Sequence, residues 1–277
     1  MRIPATTSNL GPGFDCFGLA LRIYNRIAVH ASEGAPLTPM MQAAGDLFFE
    51  RSAARHFPFV CSVRGAVPTA RGLGSSVTVR LGLLHGLNEL AGTGLNRHDL
   101  YELCGQLEGH PDNAAPASFG GFSIARQTSM QRWKVSQKLR AVLLIPDFEV
   151  ATEEARHALP KEIDREAAVM SVGNAAAIAG AFASGDLENM RGCFRDGLHQ
   201  PFRLKYVPFL EQVIAAAETA GALGAFLSGS GSTICALTLE RSQEIADAMA
   251  AAAAPSLARV LVTTADNQGV QIPRPSR

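Results

Sequence analysis

Apolar and polar residues alternate most clearly near the start of the chain. Leu21, Ile23, Ile27, Val29 and Ala31 recur at every second position, with a break at Asn25, which predicts a half-buried strand. Beyond Gly74 the period changes. Val77, Leu81, Leu84 and Leu87 recur at helical spacing and stop at Gly92, so an amphipathic helix follows a glycine-rich loop. Asn96 is placed to cap another helix whose Leu100, Leu103, Cys104 and Leu107 form one stripe, with Glu102 well off it. Residues 32–66 mix proline, glycine and short apolar runs and yield one strand, over 59–63. An apolar strand over 141–145, ended by Pro146, opens the second half. Helices are predicted there over 152–159, 166–183, 187–198, 207–220 and 242–254, with strands over 223–227, 233–237 and 259–263. The tail, 271–277, is rich in proline and arginine and is expected to fray. The pattern is α+β on both sides of a boundary placed after residue 146, giving segments 1–146 and 147–277.

The 277 residues are enough for two domains of roughly 150 residues each. Twenty-five basic residues balance 25 acidic ones. That balance excludes a protein basic enough overall to bind nucleic acid or a membrane surface, while leaving room for a local charged site. Five cysteines make no C-x-x-C pair, so they read as small buried hydrophobes. Met1 to Thr6 lacks the apolar stretch of a secretion signal, and no run reaches the ~18 residues of a bilayer span. A cytoplasmic protein is expected.

Glycine changes the picture most. The 26 glycines cluster at 11–18, 72–76 and 229–232, and Gly120-Gly121 closes a run that begins at Glu108. A glycine loop feeding a helix exposes unpaired N–H groups at the positive end of the helix dipole, a cradle for phosphate. Arg71-Gly-Leu-Gly-Ser-Ser76 has this form. It lacks the Gly-Lys-Ser/Thr of a Walker loop and the third glycine of a dinucleotide fingerprint.

Four segments, taken together, point to a known family. They are the N-terminal run Pro4-Ala-Thr-Thr-Ser-Asn-Leu-Gly-Pro-Gly-Phe-Asp-Cys-Phe-Gly-Leu-Ala-Leu21, the loop Pro68-Thr-Ala-Arg-Gly-Leu-Gly-Ser-Ser76, Glu108-Gly-His-Pro-Asp-Asn-Ala-Ala-Pro116 followed by Phe119-Gly-Gly121, and Leu227-Ser-Gly-Ser-Gly-Ser232. Together these segments resemble the GHMP family of small-molecule kinases, and within it the branch acting on homoserine; they cover about a sixth of the chain, in family order. The resemblance implies a two-domain α+β fold: an N-terminal domain like the second domain of ribosomal protein S5, with a left-handed β-α-β crossover, and a ferredoxin-like C-terminal domain. It implies ATP and Mg²⁺, with the γ-phosphoryl group passing to the side-chain hydroxyl of homoserine on the way to threonine. Of partners beyond these small molecules it suggests a homodimer alone.

The same resemblance suggests roles. Pro68, Arg71, Gly72, Leu73, Gly74, Ser75 and Ser76 would hold ATP, and Ser76 with Glu102 the metal. Homoserine is a zwitterion carrying an alcohol, so its site needs an anion and a cation. Asp15 is expected to meet the ammonium, and Arg156 and Arg203 the carboxylate through their planar forks. Asn9, His110, Asn113 and Thr152 would add hydrogen bonds, and Asp15, Asn113 and Arg156 form the expected catalytic set. Asn113 stands where several relatives carry an aspartate, and an amide cannot act as a base. Asp15 and Asp112 remain as candidates, but a loose phosphoryl transition state gains little from early deprotonation, which favours no dedicated base. Three features depart from the family pattern: Val77-Thr78 after the loop in place of small alanines, Ser232 in place of proline, and a short stretch between the first two motifs that leaves the adenine pocket unassigned. The rivals are a sister kinase acting on mevalonate or shikimate, and a ligand sensor that has lost catalysis; Ser76 and Glu102 speak against the sensor.

Overall fold

The computed structural model describes residues 1–34, 36–126 and 129–273. Most of the tail expected to fray, 274–277, lies outside them. The first sheet is built from β1 (Arg2–Ser8), β2 (Phe17–Ala31), β3 (Phe59–Gly65), β4 (Phe122–Arg126) and β5 (Ser129–Trp133). All its pairings are antiparallel, and the long β2 pairs with β1, β3 and β4 along different stretches. Helices α1 (Pro39–Ser52), α2 (Ser75–Ala91), α3 (Arg97–Glu108) and α4 (Ala114–Phe119) accompany this sheet, and α2 contributes Leu81, Leu84 and Leu87 to the core beneath it.

The break at Asn25 has a structural cause. Asn25 is buried, its amide nitrogen donates to Thr78 Oγ1 at 2.9 Å, and its amide oxygen accepts from the Val67 backbone at 3.2 Å. Two departures from simple patterning, Asn25 and Thr78, therefore satisfy each other across the β2–α2 interface. A buried amide must find such partners.

The second sheet, in the order β7 (Gly224–Leu227), β8 (Ile234–Thr238), β6 (Arg140–Pro146) and β9 (Ala258–Thr264), is also antiparallel. Helices α5 (Thr152–His157), α6 (Arg165–Ser184), α7 (Gln200–Arg203), α8 (Leu210–Thr219) and α9 (Ser242–Ala253) belong to this half. The expected boundary after residue 146 falls one strand late, because β6 pairs with β8 and β9. The chain also returns: Asp266 bonds Ala20 and Gly121, and Gln271 pairs with Arg2, so residues 266–271 rest on the first sheet.

Most predicted elements are present, including the Asn96 cap, where Asp99 completes a capping box. The helix predicted over 187–198 is not. A 3₁₀ turn at Leu187–Met190 ends before Gly192, which has a φ of +74°, and Asp196 then accepts from the backbone of Leu198 and His199 at 2.7 Å each. Helix α6 is long and apolar enough to cross a bilayer by composition, contrary to expectation, yet its Ile178, Ala181 and Phe182 pack into the core.

Candidate active site

The glycine segments converge. The loop before α2 presses against the turn at residues 228–232: Ser228 Oγ donates to the Gly72 carbonyl at 2.6 Å, and the Thr233 N–H to the Arg71 carbonyl at 3.3 Å. Gly72 has a φ of +69°, and a Cβ there would lie 2.0 Å from the Ser228 carbonyl oxygen. Gly74 caps α2 with a φ of +65°, and a Cβ there would meet Thr6 Oγ1 at 2.0 Å. Among the described residues no side chain caps α2, so its first N–H groups are available to an anion. The loop lines a cavity of about 360 Å³, which also takes in Asn9, Asp15, His110, Asn113, Thr152, Arg156 and Arg203.

Within it, Arg156 and Asp15 form a two-pronged ion pair, Nη1 to Oδ2 at 3.1 Å and Nη2 to Oδ1 at 2.6 Å. Asp15 adopts a φ of +55°, and its N–H donates to Asn9 Oδ1 at 3.1 Å. Asn9 in turn donates to the Gly229 carbonyl at 3.0 Å, tying the Asp15 turn to the C-terminal glycine motif. Asn113 accepts from Thr6 Oγ1 at 2.6 Å and donates to Ser8 Oγ at 3.0 Å. Thr152 and Ser230 hydroxyls lie 3.3 Å apart. His110 Nδ1 lies 2.8 Å from Asp112 Oδ1. Burial opposes a charge on that imidazole, but the Asp112 hydrogen bond and charge prevail, and its pKa is raised. Arg203 is buried, and burial followed by the nearby Arg156 charge pushes it down to about 10, so it stays cationic at neutral pH.

The expectations for Glu102 and Pro68 disagree with the structure, and Arg71 has partners that the sequence did not suggest. Glu102 lies outside the cavity, is exposed, and pairs with His98 at 3.3 Å. The carboxylate that faces Ser76 is Glu108, which accepts from Ser76 Oγ at 3.1 Å and forms an ion pair with Arg80. Gly109, in the left-handed conformation, ends α3 and leaves Glu108 at the loop. Glu108 opens the Glu108–Pro116 motif, so its position in that motif was the available signal. Arg71 does line the cavity, but its guanidinium bonds the carbonyls of Pro146 and Thr69 and pairs with Glu149 at 3.2 Å, so it braces the loop. Pro68 does not line the cavity. Sequence reasoning also missed Met40 of α1 and Val79 of α2, which give the cavity an apolar wall.

Comparison with known proteins shows the family. Residues 40–121 match the GHMP kinases N terminal domain, and residues 178–255 the GHMP kinases C terminal family. The chain is 38% identical over 270 residues to a homoserine kinase of Moorella thermoacetica, covering 91% of each. It is 34% identical over 292 residues to that of Aquifex aeolicus, covering 98% of each. The crystal structure of homoserine kinase from Cytophaga hutchinsonii superposes with a TM-score of 0.86 at 27% identity, covering 97% of this chain and 95% of that one. A mevalonate kinase from L. major shares the fold, with a TM-score of 0.72 at 15% identity over 95% of each chain. The chain belongs to the GHMP kinase family, on its homoserine kinase branch.

Proposed function

We propose that this protein transfers the γ-phosphoryl group of ATP to the side-chain hydroxyl of L-homoserine, giving O-phosphohomoserine. The observation that carries the reading is the Asp15–Arg156 pair inside the cavity that the phosphate loop lines. A zwitterion can exchange with such a pair without changing the charge of the site: its ammonium goes to Asp15 and its carboxylate to Arg156, with Arg203 beside it. Mevalonate and shikimate carry a carboxylate but no ammonium, and would leave Asp15 uncompensated.

The loop residues Gly72 to Ser76 and the free N–H groups at the start of α2 would receive the phosphates, and the Met40–Val79 wall would border the base. Ser76 and Glu108 offer a hydroxyl and a carboxylate at the loop end, hard oxygen donors suited to Mg²⁺. When bound, Mg²⁺ supplies neutralisation of the phosphate charge. His110, held at Nδ1 by Asp112, keeps Nε2 for the acceptor hydroxyl. Asn113, fixed by Thr6 and Ser8, shapes the wall that aims that hydroxyl. Asp15 is engaged by Arg156, and Asp112 by His110 and the Asn113 backbone, so neither is free as a base. As the bond to ADP breaks and the bond to the homoserine oxygen forms, the hydroxyl proton passes late to an oxygen of the transferred phosphoryl group, as a loose transition state allows. The comparisons support this assignment through full-length relatives. Threonine synthesis and a cytoplasmic setting follow from the same reading.

Mass spectrometry after incubation with ATP, Mg²⁺ and each of homoserine, mevalonate and shikimate tests it. Phosphohomoserine is expected; phosphorylation of mevalonate or shikimate but not homoserine would overturn it.

A further inference from the structure

Arg203 is 2% exposed, and three of its donors are taken inside the protein. A guanidinium has five N–H groups. Nε donates to the Ala155 carbonyl at 3.2 Å, and Nη1 to the Gly229 carbonyl at 2.9 Å and to His199 Nδ1 at 3.1 Å. Nη2 has no partner among the described residues, and the side chain lines the cavity. Arg203 therefore presents one terminal nitrogen to a ligand, where the sequence suggested a fork.

His199 makes this arrangement possible. Its Nε2 lies 2.9 Å from the Gly11 carbonyl, which can only accept, so Nε2 carries the proton. Its Nδ1 faces Arg203, which can only donate, so Nδ1 carries the lone pair. Both contacts together are met by one species, the neutral Nε2–H imidazole. The surroundings favour it. His199 is fully buried, and burial foremost, with the Arg203 charge adding, outweighs Asp196 and Asp15 and pushes its pKa down to about 4. The Asp196 carboxylate lies 3.6 Å from Nε2 and holds the backbone of His199 itself at 2.7 Å. Phe14, next to Asp15, stacks on the imidazole at 5.2 Å, and the guanidinium carbons of Arg203 and Arg156 lie 5.4 and 5.7 Å from the Phe14 ring centre.

We propose that His199 is a positioning residue for the amino-acid end of the substrate: its neutral ring bridges the turn carrying Phe14 and Asp15 to the buried guanidinium of Arg203, and so sets the distance between the ammonium site and the carboxylate site. This rests on the homoserine reading above. Protonation would turn the Nδ1 acceptor into a second cation facing Arg203 and release it.

The test is a pair of variants and one spectrum. His199→Leu removes both contacts and is expected to raise KM for homoserine by about tenfold or more, the cost of one charge-assisted hydrogen bond, with KM for ATP within about twofold. His199→Asn keeps an acceptor for Arg203 Nη1 and is expected to recover most of that loss. Equal rises in both KM values, or an Asn variant no better than the Leu variant when both melt at the same temperature, would overturn the proposal. For the case in which the Leu variant fails to fold, ¹⁵N NMR of the wild-type histidines decides: a neutral Nε2–H tautomer at residue 199 between pH 5.5 and 8 is expected, and an Nδ1–H or imidazolium form at pH 7 refutes it. The spectrum needs no substrate, so absent homoserine turnover in the wild type would sink the substrate reading alone.

Discussion

The Ser76 hydroxyl donates to Glu108 Oε2 at 3.1 Å, joining the end of the phosphate loop to the last residue of α3. Glu102, two turns earlier on the same helix, pairs with His98 in solvent. Neutralising Glu108 should therefore cripple the enzyme and neutralising Glu102 should not. Glu108→Gln is expected to lower kcat/KM by about 100-fold and to weaken Mn²⁺ binding in the presence of an unreactive ATP analogue. Glu102→Gln should stay within about twofold of wild type. Equal losses in the two variants would remove Glu108 from the metal site.

Glu108 also shows where sequence reasoning stopped. The motif that opens with it was legible, and so were the loop, the α2 stripe and the Asn96 cap, because each is a local pattern with a local cause. Which of the two glutamates on α3 reaches Ser76 depends on where the helix stops against the loop, and Gly109 decides that. Arg71 is a similar case. Its charge suits phosphate, but its partners Pro146 and Glu149 lie about 75 residues away and enter through β6 packing. Asp15 and Arg156 were identified separately, whereas their pairing is a tertiary fact. The helix expected over 187–198 failed because the Asp196 carboxylate competes for the backbone N–H groups that a helix would use.

The Asp15–Arg156 pair makes a prediction about substrate binding. Asp15→Asn leaves Arg156 without its counter-ion and homoserine without its ammonium partner. KM for homoserine should rise by about 10- to 100-fold, the range expected for a lost charge-assisted contact, and KM for ATP should hardly move. If instead KM for homoserine stayed constant while turnover vanished, Asp15 would be the base that the proposed mechanism does without. Steady-state kinetics in both substrates separates the two outcomes.

Gly72 and Gly94 share the left-handed conformation, with φ of +69° and +73°, but not the surroundings. A Cβ at Gly94 meets nothing within 4 Å, whereas one at Gly72 would strike the Ser228 carbonyl. Gly94→Ala should cost about 1 kcal/mol of backbone strain and leave catalysis intact. Gly72→Ala carries the same strain and must also push the loop off the turn at 228–232. Its KM for ATP should rise by about tenfold or more, since 1 Å errors at a catalytic site have such consequences. Thermal melts and ATP titrations of the two variants measure this difference.

His85 and His199 are both buried, and burial pushes each pKa from 6.5 down to about 4. The unfolded chain, with ordinary histidines, binds protons below pH ~6.5 that the folded protein refuses. Stability from these groups is therefore intact above pH ~6.5 and is lost as pH falls from there towards 4. Each should cost on the order of 1–2 kcal/mol by pH 5. His110 runs the other way. Its pKa is raised, so its contribution is full below pH ~6.5 and fades as pH rises through the folded value, which partly offsets the acid loss. His85 is the cleaner probe, since neither ring nitrogen has a hydrogen-bond partner among the described residues, so its replacement breaks no such bond there. Urea unfolding of His85→Leu and wild type at pH 7.5 and 5.0 is expected to show a smaller acid loss in the variant; identical losses would mean that His85 takes up its proton in the folded protein as readily as in the unfolded chain.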